Sequence, residues 1–165
     1  MFEICYQNQN KIDKIKVLGN GRFAECSLVK RGEKILVMKE PRKKGLESSF
    51  SNEINLHKLF DHPNIVPFYD SFIKRGKSHI LLYPCIHGSF SDLLLTNTFR
   101  KQNKKKMVRQ VMKGLESLLR MNVLHRDRKQ HNLLVDERMN IRIGDFGFIF
   151  PTHSTKNETQ NRDQR

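Results

Sequence analysis

Residues Val123–Gly147 read V-L-H-R-D-R-K-Q-H-N-L-L-V-D-E-R-M-N-I-R-I-G-D-F-G, and this stretch decides the fold. Asp127 is followed by Lys129 and then by Asn132. Two short apolar runs, Leu133–Val135 and Ile141–Ile143, flank Asp136–Asn140, and Asp145-Phe146-Gly147 closes the stretch. The pattern predicts a loop, a strand, a turn, a second strand and a second acidic loop. Phosphoryl transfer calls for such a set. One carboxylate can orient a hydroxyl, while an Asn and another carboxylate hold Mg²⁺ against a polyphosphate.

In order and spacing these residues resemble the catalytic and metal-binding loops of protein kinases, H-R-D-x-K-x-x-N and D-F-G, joined by a β-hairpin. The resemblance implies ATP and Mg²⁺ as cofactors. It implies that Asp127 orients the substrate hydroxyl and accepts its proton, and that Lys129 neutralises charge on the γ-phosphate. Asn132 and Asp145 would hold the metal. A Lys two residues after the base is the pattern of Ser/Thr kinases rather than tyrosine kinases. One departure stands beside the base, where Arg128 replaces a Leu that is normally buried. A charge there has to be paired or turned to solvent.

Working outward toward the N-terminus, Ile12–Leu18 and Phe23–Lys30 predict a hairpin whose turn carries Gly19 and Gly21. Glycine lets backbone amides approach a phosphate with no Cβ in the way. By itself the turn fits an ordinary hairpin equally well. Its position ahead of the later motifs makes it a candidate phosphate-covering loop. The usual third glycine is Ala24, and Cys26 stands where most kinases carry Val. This G-x-G-x-F-A-x-C variant resembles the polo-like group. Ile35–Lys39 predicts a strand ending in a Lys, which by resemblance contacts the α- and β-phosphates. Val37 replaces a smaller Ala there, so a slightly tighter pocket is expected. Glu47–Phe60 predicts a helix with apolar residues at 3–4 spacing, ended by Asp61-His62-Pro63-Asn64. Glu53 on it can pair with Lys39, or serve as a surface i,i+4 partner of His57. Two more strands, Ile65–Ile73 and His79–Tyr83, complete a five-stranded antiparallel sheet with one helix.

The same resemblance places the adenine-contacting segment at Tyr83-Pro84-Cys85, with Leu82 guarding the back of the pocket. The implied nucleotide-binding set is Leu18, Gly19, Asn20, Gly21, Arg22, Phe23, Ala24, Glu25, Cys26, Val37, Lys39, Glu53, Leu82, Tyr83, Cys85 and Leu134. Beyond it, Ser91–Leu95 predicts a short helix and Met107–Met121 a longer one. Met107, Val111, Leu115 and Leu118 share one face of the longer helix, with Val108, Met112 and Leu119 beside it. Lys101 and Lys104–Lys106 crowd its positive end, which the macrodipole disfavours. That helix is therefore expected to begin after the lysines, and its apolar face to lack a cover.

The 165 residues suffice for one ordinary core, with 37% hydrophobic and 29% charged residues and no membrane-length apolar run. No secretory signal is visible, and three widely spaced cysteines fit reduced thiols, so an intracellular protein of cytoplasm or nucleus is expected. The net charge of +14 favours anionic partners. It also fits a basic solvated surface, and no aromatic-interleaved basic patch offers a base-stacking platform. The expected partner is a protein substrate or a partner kinase, not nucleic acid or a membrane.

The expected fold is α+β and protein-kinase-like. It has a lead-in at 1–11, a partial kinase domain at 12–150 (12–82 the sheet lobe, 83–150 the adenine-contacting segment, early helices and both loops), and a disordered polar tail at 151–165. No A-P-E motif or later helices follow Gly147. Three functions fit: an ATP-dependent Ser/Thr kinase of polo-like type, an inactive mimic that docks on another kinase, and a fragment with no role of its own.

Overall fold

Strand alternation builds the first sheet. In the computed structural model, β1 (Ile12–Asn20), β2 (Ala24–Arg31) and β3 (Lys34–Pro41) form an antiparallel meander. β4 (Phe68–Lys74) and β5 (Lys77–Leu82) complete a sheet of order β1-β2-β3-β5-β4. The structure describes residues 11–43, 45–95, 101–125, 130–147 and 149–151. A two-residue side-chain period sends alternate residues of β3 to opposite faces. Leu36 and Met38 join Val29 and Leu81 in one buried cluster, while Lys39, opposite Ile80 in register, faces the other way.

Helix α1 (Glu47–His57) covers that second face. Its buried residues are Phe50, Glu53, Ile54 and His57, a stripe at i, i+3, i+4 and i+7. Phe50 and Ile54 cluster with Ile80, and Ala24, Phe68 and Leu82 pack around them. Burying each such side chain contributes about 2 kcal/mol. The helix stops at His57, earlier than Phe60. Lys58, Leu59 and Phe60 continue as a turn in which the Phe60 amide donates to the His57 carbonyl at 3.2 Å. β4 likewise begins at Phe68 instead of Ile65. The Val66 carbonyl accepts from His57 Nε2 at 2.7 Å, Pro67 has no amide hydrogen to give a ladder, and Ile65 bridges to Ile143.

Contacts divide the chain into two compact units, Met1–Asp61 with Val66–Ile86, and His62–Ile65 with His87–Arg165. The second is built on α2 (Phe90–Leu95), α3 (Lys101–Arg120) and two small hairpins. Ser89 and Asp92 cap α2 reciprocally: Ser89 Oγ donates to Asp92 Oδ2 at 2.6 Å and accepts from the Asp92 amide at 3.2 Å. β7 (Leu133–Val135) and β8 (Ile141–Ile143) pair antiparallel, as do β6 (Val123–His125) and β9 (Ile149–Pro151). The β6–β9 pair is not foreseen by the sequence reading, in which 151 opens a tail.

α3 corrects two expectations. It begins at Lys101, so the lysines lie inside it, and Lys104, Lys105 and Lys106 are exposed. Solvent-screened charges cost the helix only about 0.3–1 kcal/mol each at its end. Burying Met107 just beyond them offsets that. Half of the apolar face also has a cover, because Met107 packs with Val135, Ile141, Leu133 and Met139 of the β7–β8 hairpin and Leu118 is buried. Val108, Met112 and Leu119 form the exposed half. Gly114 permits the close fit: a Cβ there would meet Ile143 Cδ1 at 2.7 Å and the Asn64 carbonyl at 2.9 Å. The helix ends with Asn122 in the left-handed region at φ 55°, its amide bonded to the Leu119 carbonyl.

Candidate functional site

In the first unit, β3 and α1 bring together the two charges singled out in the sequence. Lys39 Nζ donates to Glu53 Oε1 at 2.6 Å, with side chains 9% and 2% exposed. The sheet register aims Lys39 at the helix, and the i,i+3,i+4 stripe brings Glu53 to meet it. The ammonium also lies 5.8 Å from the Phe50 ring centroid. His57, one turn on from Glu53, is fully buried. Burial lowers its pKa to about 4, the Lys39 charge acting in the same sense and the Val66 hydrogen bond opposing. His57 is thus a neutral ring donating to a carbonyl, and Glu53 is left to Lys39.

The glycine-bearing turn sits between β1 and β2. Gly19 and Asn20 pair with Cys26 and Glu25 in register, and the Gly21 amide donates to the Ala24 carbonyl at 2.9 Å. A Cβ on Gly21 would stand 3.2 Å from that carbonyl, whereas Gly19 faces open space. Arg42 holds the turn from below, its amide donating to the Phe23 carbonyl at 3.0 Å and its guanidinium to the Gly21 carbonyl at 3.2 Å. Arg22 stacks over Phe23, 5.3 Å from the ring centroid. Glu25 is drawn to Lys14 and Ser27, and the Lys14 ammonium beside it holds its carboxyl below the usual range. Leu18 is exposed. Val37 lies opposite Leu82 in register. The Tyr83 amide donates to the Pro67 carbonyl at 3.1 Å, and its ring meets Tyr69 edge-on. Cys85 is half-buried.

In the second unit, the β7–β8 register aligns the two candidate metal ligands. Leu133 pairs with Ile143, and the Gly144 amide donates to the Asn132 carbonyl at 2.8 Å. Asn132 and Asp145 therefore leave the same end of one hairpin. Asp145 is held at φ 59°, a left-handed conformation costly for a non-glycine residue. An amide oxygen and a carboxylate are hard donors and suit Mg²⁺. Leu134 is half-buried and bridges to Ser89. Asp127, Lys129 and Arg128 lie outside the described residues.

Similarity to known proteins bears on this arrangement. The protein kinase domain family model matches residues 12–163. The chain belongs to the protein kinase family. It is 33% identical over 140 residues to a probable cell cycle serine/threonine-protein kinase, a CDC5 homolog, of Encephalitozoon cuniculi, covering 80% of this chain and 30% of that protein. It is 33% identical over 152 residues to the probable serine/threonine-protein kinase nek3 of Dictyostelium discoideum, covering 84% and 14%. Against the mouse serine/threonine-protein kinase PLK2 it is 32% identical over 140 residues, covering 80% and 20%. The chain thus spans under a third of the length of these relatives. The five-stranded sheet with one helix and the partial helical unit are the α+β kinase fold.

Sequence reasoning passed over three residues that brace the β7–β8 hairpin and the D-F-G segment. His125 Nε2 donates to the Gly144 carbonyl at 3.0 Å and its ring meets Phe146 edge-on at 5.6 Å, tying β6 to the D-F-G segment. Asp136 accepts from the amides of Arg138 (3.0 Å) and Asn140 (2.8 Å) and from Arg142 Nε (3.0 Å). Burial pushes its pKa up, but these donors together hold the carboxyl below the usual range. Asn64 donates from Nδ2 to the Ile141 carbonyl at 2.9 Å and accepts the Ile143 amide at 2.8 Å. The D-x-R-x-N-x-R spacing is a readable turn signal for Asp136. For Asn64 the sequence carries none, since its side-chain partner Ile141 is 77 residues away and Ile143 lies farther still. No helix among the described residues is long and apolar enough to cross a membrane.

Proposed function

We propose that this chain is the nucleotide-binding and catalytic segment of a Ser/Thr protein kinase of polo-like type, acting on protein substrates inside the cell. The observation that carries the reading is the buried Lys39–Glu53 pair at 2.6 Å. A buried charge pair is costly to maintain for stability alone, and an ammonium fixed this way can hold the α- and β-phosphates of ATP. The backbone amides of the Gly19–Gly21 turn cover phosphate, and Val37 and Leu82 supply apolar contact for adenine from the first unit. Asn132 and Asp145 would hold Mg²⁺, whose bound charge offsets that of the polyphosphate. Asp127 orients the substrate hydroxyl and takes its proton as the oxygen–γ-phosphorus bond forms. The bond to the β-phosphate oxygen breaks and ADP leaves, while Lys129 neutralises charge on the transferred group. Positioning and electrostatics supply most of the rate in such a reaction. The segment 12–150 is the proposed kinase portion.

Thermal unfolding with and without Mg·ATP tests the nucleotide site, since a ligand bound only by the folded state raises the midpoint. A rise that disappears in Asp145→Ala is expected. Transfer of labelled phosphate to Ser/Thr peptides, abolished in Asp127→Asn, is expected alongside it. A cooperative transition with no Mg·ATP shift overturns the reading. It would favour a kinase mimic that docks on another kinase through the exposed Val108, Met112 and Leu119.

A further inference from the structure

A groove of about 600 Å³ lies between α3 and the β7–β8 turn, wholly within the second unit. Five cations line it, Lys106, Arg109, Lys113, Arg138 and Arg142, against the carboxylates of Asp136 and Glu137. Its floor is already bonded. Gln110 donates to Asn140 Oδ1 at 2.8 Å and accepts the Ile141 amide at 3.0 Å, pinning the turn to the helix. Arg142 is occupied by Asp136 and by the Ile65 carbonyl.

Arg138 Nε pairs with Glu137 Oε1 at 4.0 Å, and the three cations of α3 have no such use. Lys106, Arg109 and Lys113 recur at i, i+3 and i+7 on one face of α3, all exposed, and none forms an ion pair among the described residues.

We infer that this groove docks an acidic, Asp/Glu-bearing peptide segment of a protein partner. The row of cations on a preformed floor complements spaced carboxylates and needs little reorganisation on binding. Arg109 offers a forked donor that fits a carboxylate. A nucleic-acid strand fits less well. No aromatic side chain lines the groove to stack a base, and Asp136 and Glu137 interrupt a continuous phosphate track. The inference does not rest on nucleotide binding.

The test measures fluorescence anisotropy of a labelled Glu-Asp-Glu-Asp-Glu-Asp peptide with the full chain. A triple variant Lys106→Glu, Arg109→Glu, Lys113→Glu is compared with a control of equal charge change, Lys16→Glu, Lys30→Glu, Lys74→Glu, at exposed positions on the first sheet. All six sites are exposed, and a thermal scan checks that each variant folds. The groove variant is expected to bind at least tenfold more weakly than wild type and the control less than threefold. Equal weakening in both variants would show diffuse attraction by a basic protein and overturn the site. So would an unlabelled oligo-dT strand that binds the wild-type groove more tightly than the peptide does. A peptide that fails to bind the wild-type chain at low salt, where such attraction is strongest, overturns it too.

Discussion

Glu53 and Asp136 are both nearly sealed from solvent and both face a cation, yet they are made in opposite ways. Asp136 collects its donors from Arg138, Asn140 and Arg142, all within six residues of chain. Glu53 meets Lys39 from a different element, across a helix–sheet interface. The first arrangement folds a turn. The second joins a strand to a helix across 14 residues of chain. A buried ion pair therefore says little about stability until its other hydrogen bonds are known.

The largest effect expected from breaking this comparison is at Asp136. Asp136→Ala strands two turn amides and Arg142, and should cost about 3–5 kcal/mol in urea unfolding. A loss below 1 kcal/mol would mean the turn holds without its carboxylate.

Next in size is the pH response beside Lys39. His57 has a folded pKa of about 4 against an ordinary 6.5. Between those values the unfolded chain takes up a proton that the folded chain refuses. Stability is therefore complete above pH 6.5 and falls as pH drops toward 4, by up to about 3 kcal/mol. Unfolding curves at pH 7 and 4.5 should differ less in His57→Gln than in wild type. An unchanged slope would place the acid sensitivity elsewhere.

Gly114→Ala sharpens the contrast from the packing side. Its Cβ would press on Ile143 and on the Asn64 backbone, for an expected loss of about 1–3 kcal/mol. Gly19→Ala, with nothing near it, should leave the melting midpoint within a degree or two. If both variants melt alike, the close approach of α3 to β8 is not a constraint.

The smallest change in stability is expected where the functional change is greatest. Replacing the pair as Lys39→Met with Glu53→Leu should leave stability within about 1 kcal/mol of wild type or above it, as apolar replacement of buried pairs often does. The Mg·ATP-induced rise in melting midpoint should vanish. A retained rise would separate the pair from nucleotide binding.

The turn at Asp136 was open to reading because its partners are two, four and six residues away. The hairpin β7–β8 and the sheet strands were legible for the same reason: alternation and turn residues are local signals. The meeting of Lys39 with Glu53 was accessible only through resemblance to kinases, since a strand-end Lys and a helical Glu carry no joint signal. Three boundaries moved where a distant group decided them. His57 takes the carbonyl that would have extended β4, the exposed lysines entered α3 because Met107 is buried beyond them, and β9 formed by pairing with β6.

The two small hairpins of the second unit are nested, β7–β8 lying inside the span closed by β6 and β9. Closing a short inner turn first shortens the effective chain that the outer strands must span, and loop-closure entropy grows only with the logarithm of that length. The inner ladder can therefore zip outward, from the five residues Asp136–Asn140 to His125 and Ile149. Contacts of this kind have low contact order and form quickly. The β7–β8 hairpin is thus suited to form before the β6–β9 pair that encloses it.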